Sequence, residues 1–438
     1  MYRKIEDFIN DYLNNKNNSK ILCIYGARQI GKTYIIDKTV SKLFKHYVQI
    51  NFDEDNRGDQ LYKNVSSIDD FYIQLTAKYG RNLGNYEDTI VFLDEIQVYP
   101  QFFPLLKQLN IDSKYHYICS GSQLGISLSD KGLSPMGSIV EKRMYPMDFE
   151  EFLLANNVGK QTIEYLRQCF IERKEVNEAT HLHIMKLFTS YLYVGGLPEC
   201  VKTFVNEKDI SKIKDIQALT YKYYIDDASK YDRENKLKIK RLYEMIISSI
   251  DNSVKRIQVS KINNNVRDTY SKFINEFEYL INSGVALDNK AITNPKFPLV
   301  QSFSKNLTKL YLNDVGILSQ ILYKENINAI IQEKTGVNLG SIYETVVAQE
   351  LKAHGNELFY YDRRKVGEVD FLIDDYNNLT VLPIEIKSGK DSYVYRALPK
   401  LLNVEEYNIK FGYVLSNKKE ITIKDKIIEM PIYNIMFI

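Results

Sequence analysis

Residues 21–33 of this 438-residue chain read ILCIYGARQIGKT, an apolar run that opens directly into G-x-x-x-x-G-K-T. The run reads as a buried parallel strand. Gly26 and Gly31 permit backbone angles that turn successive N–H groups inward onto a phosphate. Lys32 adds positive charge for the outer phosphates, and Thr33 offers a hydroxyl to Mg²⁺. The helix expected to start at Lys32 would direct the positive end of its dipole at the same anion. Gly26, Ala27, Arg28, Gln29, Ile30, Gly31, Lys32 and Thr33 are therefore the expected ATP-binding residues. A second apolar run, TIVFLDE at 89–95, ends in two acids. Asp94 would hold Mg²⁺ together with Thr33, and Glu95 would orient or deprotonate the attacking water. A third strand, YHYICSGS at 115–122, ends in Ser120 and Ser122, which are either sensors of the γ-phosphate or turn residues. Arg143 stands at a strand end before a proline-started helix. From there an arginine could reach a neighbouring subunit's nucleotide and stabilise transition-state charge, or lie solvated on the surface.

A second constellation lies at 369–390, VDFLIDDYNNLTVLPIEIKSGK. Asp370 sits on one apolar run, and Glu385 and Lys387 end the next, across the polar turn DDYNN. Phosphodiester cleavage needs two carboxylates on a divalent metal and an activated water. Glu385 and Lys387, two apart on a strand, leave the same face, so the lysine could position that water. Glu344, on the helical stretch GSIYETVVAQELKAHG, is a third acidic candidate, giving Glu344, Asp370 and Glu385 as possible metal ligands. Pro383 implies an edge strand or a bulge beside them. The module could cleave nucleic acid, bind without cleaving, or be a relic; the intact set of charges argues against a relic.

These sites need a scaffold, and the totals bound it. With 44% apolar and 26% charged residues the chain is a globular protein of two to four domains. The net charge of +2 gives no whole-molecule field, so nucleic acid would have to be met by a local patch. The N-terminal MYRKIEDFINDYL is amphipathic and charged rather than leader-like. No run approaches the roughly 18 apolar residues that span a bilayer, so a cytoplasmic chain without membrane contact is expected. Cys23, Cys119, Cys169 and Cys200 are dispersed, with no CxxC pair, and read as buried free thiols. His181 and His183, two apart in a helical stretch, do not share a face and do not read as metal ligands.

The middle of the chain is helical with one break, GGLPE at 195–199, which is either a hinge near the nucleotide or a plain turn. Residues 230–272 carry eleven Lys/Arg against five acids. Their order, helix, turn, helix, then the strand-like VALDNKAIT, is that of a winged helix, with Arg267 to Lys272 opening a recognition helix. Such a module could neutralise DNA phosphates or serve as an internal lid. From 340 onward the order helix, three strands, helix, strand is similar to the PD-(D/E)xK nuclease-like core.

The blocks GARQIGKT, VFLDEIQ, SGSQLG, RMYPMDFEEF and YLYVGGLPE, in this order, resemble a widespread family of prokaryotic AAA-type ATPases. Its members carry a C-terminal domain of unknown function, number 4143. The likeness runs over nearly the whole chain and implies an ATP-binding core with a parallel sheet wrapped by helices. One departure is Lys142, where the family usually has glycine before the arginine of the fourth block, which weakens the carry-over of an arginine-finger role to Arg143. The expected architecture is α/β. A P-loop AAA-type core over 1–150 precedes a helical lid over 151–230. A winged-helix-like domain over 231–310 and a PD-(D/E)xK-like domain over 311–438 complete it. The expected cofactors are ATP and Mg²⁺. Expected partners are nucleic acid, duplex DNA first, or a protein, with a homo-oligomer if the arginine acts in trans. The first expected function is a nucleotide-driven ATPase acting through its C-terminal module. The rivals are an ATP-dependent nuclease and an ATP-gated switch or chaperone.

Overall fold

The computed structural model describes residues 1–15, 18–122, 137–231, 236–250, 257–262, 269–324, 326–331, 339–363, 366–388 and 396–438. Two compact units emerge: residues 2–145 with 282–284, and the rest from Pro146 onward.

The first unit is built on five strands, β1 (Ile21–Tyr25), β2 (His46–Asn51), β3 (Thr89–Asp94), β4 (His116–Gly121) and β5 (Ile139–Arg143). They form one sheet in the order β2-β3-β4-β1-β5, all pairs parallel. Every residue of β3 is buried, which is what an unbroken apolar run means in a sheet covered on both faces. The connections contain α1 (Lys4–Asn14, before β1), α2 (Lys32–Leu43), α3 (Phe52–Arg57), α4 (Ile68–Tyr79) and α5 (Phe102–Asp112). On α5, Phe102, Phe103, Leu105, Leu106 and Leu109 are buried, the spacing of one helical face. Phe102 packs within an aromatic group with Phe52, Tyr62 and Phe71. Each such ring stabilises the unit by roughly 1.5–3 kcal/mol through burial alone. Cys23 and Cys119 are directly opposed on β1 and β4 and are joined as a disulfide. The expectation of four free thiols is corrected here: parallel register brings together residues separated by 96 positions. Cys169 and Cys200 are free and buried.

The second unit begins with helices at Phe149–Ala155, Lys160–Glu172, Glu178–Val194, Pro198–Asn206, Ile210–Tyr231 and Lys236–Ile250. The GGLPE break falls between the third and fourth, with Pro198 at the first turn of the latter. Both glycines have a steric reason. A Cβ on Gly195, whose φ is +72°, would lie 2.2 Å from Asp314 Oδ1, and one on Gly196 would lie 2.1 Å from the Met147 carbonyl. Gly196 donates its N–H to Asp314 (2.6 Å) and accepts from the Met147 N–H (2.7 Å). The break is a packing knot between three segments.

Eight strands follow: β6 (Ala286–Ile292), β7 (Phe303–Leu312), β8 (Phe359–Arg363), β9 (Gly367–Asp375), β10 (Thr380–Ile386), β11 (Gly412–Ser416), β12 (Thr422–Lys424) and β13 (Ile427–Pro431). They make one mixed sheet, in the order β12-β13-β11-β10-β9-β8-β6-β7. The expected order helix, three strands, helix, strand is present as Gly340–Ala353, β8–β10, Ala397–Leu402 and β11. The strand expected in the wing, β6, pairs with β7 but also joins this sheet, because it runs parallel to β8 with Lys290 opposite Phe359. The division expected at 310/311 therefore falls inside one sheet. The expected recognition helix begins at Ile274 after a short turn at Tyr270–Phe273. Arg233, Lys255, Arg256, Asn263–Asn265 and Arg267 lie outside the described residues. No described helix is long and apolar enough to cross a membrane.

Candidate functional site

The loop between β1 and α2 lies where the sheet order reverses, with β4 on one side of β1 and β5 on the other. Met144 donates its N–H to the Tyr25 carbonyl at 2.7 Å, which draws the chain after β5 against the loop. A Cβ on Gly26, whose φ is +149°, would lie 2.2 Å from the Met144 carbonyl, so only glycine fits. Gln29 and Gly31 also have positive φ. The N-terminus of α2 has no side-chain cap and no acid in its first turn, leaving its N–H groups to an anion. Lys32 is buried and donates to the carbonyls of Gly26 (3.0 Å) and Ala27 (2.8 Å). These features fit the terminal phosphates of a nucleotide.

The acids expected beside this loop converge on it. Thr33 Oγ1 donates to Asp94 Oδ2 at 3.0 Å, and Ser120 Oγ donates to Asp94 Oδ1. Asp94 is fully buried, and burial holds its carboxyl above the usual range despite the Ser120 and Thr33 hydrogen bonds. Glu95 adopts left-handed backbone angles, φ 53° and ψ 46°. Its Oε2 accepts from the Ser122 hydroxyl (3.2 Å), the Ser122 N–H (3.4 Å) and Gln97 Nε2. Burial pushes this carboxyl up, but Lys32, Gln97 and Arg28 together bring it below its ordinary value. Glu95 is thus an ionised base held beside the loop. Among the described residues, no group of three or more His, Cys, Asp or Glu could hold a metal ion. A Mg²⁺ at Thr33 and Asp94 would take its remaining ligands from phosphate and water.

Arg143 lies over the rings of Tyr25 (5.9 Å) and Tyr145 (5.3 Å), beside its own chain's loop. Sequence reasoning missed Arg3. Its buried guanidinium donates to the Ile30 carbonyl (2.9 Å) and the Tyr145 carbonyl (2.7 Å), tying the start of α1 to the phosphate loop. Lys38 on α2 and Glu6 on α1 add an ion pair at 2.6 Å.

In the second unit the β9–β10 register ends at Ile384↔Phe371, with Glu385 and Asp370 the next residues on the two strands. Asp370 Oδ2 accepts the Ile386 N–H at 2.8 Å, and Glu385 Oε1 accepts Lys387 Nζ at 2.8 Å. Glu344 is engaged by a residue the sequence did not single out: Tyr311 on β7 donates to its Oε2 at 3.0 Å. The Tyr311 phenol is held protonated by burial, reinforced by the charges of Glu344 and Asp370. Asn289 on β6 donates to the Asp370 carbonyl at 3.1 Å. The cluster therefore draws on β6 and β7 as well as on the β9–β10 hairpin.

Residues 18–153 match a family described as an AAA domain, and residues 339–435 match domain of unknown function 4143. Between them, residues 185–328 match domain of unknown function 8612. The chain thus carries an AAA-type, P-loop ATPase-like domain followed by a domain of unknown function 4143. An uncharacterized protein of Methanocaldococcus jannaschii is 25% identical over 419 residues, covering 93% of this chain and 85% of that protein. Among solved structures, a Walker-type ATPase of Pyrococcus abyssi aligns at 15% identity and TM-score 0.42, over 73% of this chain and 95% of that one. The Aeropyrum pernix ORC1 protein, solved in complex with DNA, aligns at 13% identity and TM-score 0.29, over 73% and 91%.

Proposed function

We propose that this protein hydrolyses ATP and uses its nucleotide state to control a C-terminal module that binds nucleic acid. The observation that carries the ATPase reading is the convergence of Thr33, Ser120 and Asp94 beside a glycine-gated loop, with Glu95 held ionised next to them. The N–H groups of Gly26 to Thr33 bind the phosphates, and Lys32 exchanges its loop carbonyls for phosphate oxygens. Thr33 and Asp94 would hold Mg²⁺, which would supply positive charge against the outer phosphates. Glu95 accepts a proton from the attacking water, and Ser122 and Gln97 keep its carboxylate pointed inward. Support for nucleic acid is the excess of lysine and arginine over 230–272. A second reading, metal-dependent cleavage by the module, is favoured by the cross-strand placement of Asp370 and Glu385 beside Lys387.

The deciding experiment is steady-state ATP turnover by the wild type and Glu95→Gln, with and without duplex DNA at two salt concentrations. Turnover stimulated by DNA, weakened by salt and lost in Glu95→Gln is expected. Turnover indifferent to DNA points to a protein partner. Absence of turnover in the wild type removes the ATPase reading.

A further inference from the structure

At the strand N-termini of the first sheet, the edge away from the phosphate loop, lies a cavity of about 550 Å³. It is within the size range of small-molecule sites. Three helices end on it. Tyr12, Leu13 and Asn14 from the last turn of α1, Leu43 at the end of α2, and Leu109 with Asn110 from the last turn of α5 all line it. The C-terminal end of a helix carries about half a negative charge on carbonyls without intrahelical partners. Lysine or arginine in the last turn commonly offsets this; α2 has Lys42 there, 3.9 Å from Glu6 of α1, whereas α1 and α5 have no basic residue in their last turns. Glu87 at the rim adds a full negative charge. Lys20 is the one lysine or arginine among the described lining residues; it is exposed at the rim.

The rest of the lining is aromatic. Tyr86 stacks on His116 with ring centroids 4.2 Å apart, and Phe44 lies tilted against His116 at 5.1 Å. Burial lowers the His116 pKa, so the imidazole adds no positive charge at neutral pH. Tyr12 and Tyr115 extend the ring surface. An aromatic face attracts a cation, most strongly where water is partly excluded. One lining ring already faces a lysine of the chain: Lys114 Nζ lies 5.9 Å from the Tyr115 centroid and 4.2 Å from that of Tyr72, behind the lining.

We propose that this cavity is a binding site for an organic cation, an ammonium or guanidinium group on a short aliphatic chain. The charged head lies against the ends of α1 and α5 and the Tyr86 ring, and the chain lies along the apolar lining. The site is independent of the ATPase reading, since none of its residues belongs to the phosphate loop. Head groups of this kind occur on free diamines and on arginine or lysine side chains, and the two sources share the chemistry used here.

The test is calorimetric titration of the nucleotide-free full chain with agmatine, with N-butylurea, a neutral analogue that lacks both of its cationic groups, and with a capped Gly-Arg-Gly peptide. Tyr86 is 42% exposed, so Tyr86→Ala leaves the fold intact, as circular dichroism would verify. Agmatine is expected to bind, butylurea to bind at least about tenfold more weakly, and Tyr86→Ala to weaken agmatine by about tenfold while Tyr86→Phe retains it. Glu87→Gln is expected to weaken agmatine by a few-fold and to leave butylurea unchanged. Agmatine tighter than the peptide assigns the site to a free amine; the reverse assigns it to an arginine side chain. The proposal is overturned if neither cation binds at 10 mM, if butylurea matches agmatine, or if Tyr86→Ala binds as the wild type does.

Discussion

Asp314 accepts the backbone N–H of Gly196 at 2.6 Å, across 118 positions of sequence, and both ends of that bond are buried. The same carboxylate caps the helix that begins at Val315, accepting from the Ile317 N–H at 3.1 Å. Lys214, also buried, donates to the Tyr193 carbonyl one turn before the glycines and to Ser319 in that helix. One acid thus fastens the end of the Glu178–Val194 helix to the start of the next structural layer.

Asp314 makes the stability of this unit depend on pH with a defined sign. Burial raises its carboxyl from 3.8 to about 6, against the pull of the Gly196 and Ile317 N–H groups. Between those values the folded protein holds a proton that the unfolded chain releases. The stabilisation is therefore complete below pH 4 and is lost as pH rises through 6, a difference of about 3 kcal/mol. Asp314→Asn, which cannot ionise, removes that slope. Denaturant melts of both proteins from pH 4 to 7 should show the wild type losing about 3 kcal/mol relative to the variant over this range. A parallel pair of curves would refute the assignment. Asp314→Ala, which strands N–H donors, should cost about 2–4 kcal/mol at any pH in the range.

Arg3 leads to a prediction about nucleotide affinity. Its guanidinium holds the Ile30 carbonyl, so the loop loses a charged donor in Arg3→Ala. Loss of such a bond is worth about 1.5–3 kcal/mol, which corresponds to a drop of about 10- to 100-fold in kcat/KM for ATP. Arg3→Lys should recover part of it, since one ammonium cannot satisfy two carbonyls in the guanidinium geometry. Kinetics unchanged in Arg3→Ala would show that the loop holds its shape without this contact.

Glu95 is the residue whose removal should separate binding from turnover. Glu95→Gln keeps size and hydrogen bonding but cannot accept a proton, so ATP binding should persist while kcat falls by about 10²- to 10⁴-fold. Its carboxyl lies below its ordinary value because Lys32, Gln97 and Arg28 outweigh burial. Gln97→Ala removes one of these supports. The acid limb of the kcat–pH profile should then move to higher pH, whereas a role in packing alone would leave the limb in place.

The phosphate loop and its acids were legible because their chemistry fixes both residue type and position after a strand. ILCIY and TIVFLD can be read locally, and β1 and β3 lie where those runs lie. Arg3 was not legible, since it acts on backbone carbonyls 27 and 142 positions away and backbone carbonyls have no sequence signature. Tyr311 and Asn289 were missed for a different reason. VALDNKAIT looks like a wing from its own pattern, and only the parallel pairing of β6 with the distant β8 moves it into the C-terminal sheet. Cys23 and Cys119 likewise meet through strand register, which spacing along the chain does not encode.

The C-terminal cluster allows cleavage and binding to be told apart by three substitutions, Tyr311→Phe, Lys387→Ala and Asp370→Ala. Glu344 Oε2 already accepts from Tyr311 and Glu385 Oε1 from Lys387, so one oxygen of each is engaged inside the protein. A module that binds without cleaving should leave supercoiled plasmid intact with Mg²⁺ or Mn²⁺, and this is the expected result. Tyr311→Phe should then act on stability alone, lowering it by about 1–3 kcal/mol because the buried Glu344 carboxylate loses a donor. Lys387→Ala should weaken binding to DNA if that lysine turns to phosphate, and the salt slope should fall by about one contact. Nicking by the wild type that disappears in both Asp370→Ala and Lys387→Ala would replace this reading with the nuclease. In that case Tyr311→Phe should change the metal dependence of cleavage, since it frees Glu344 to act as a ligand.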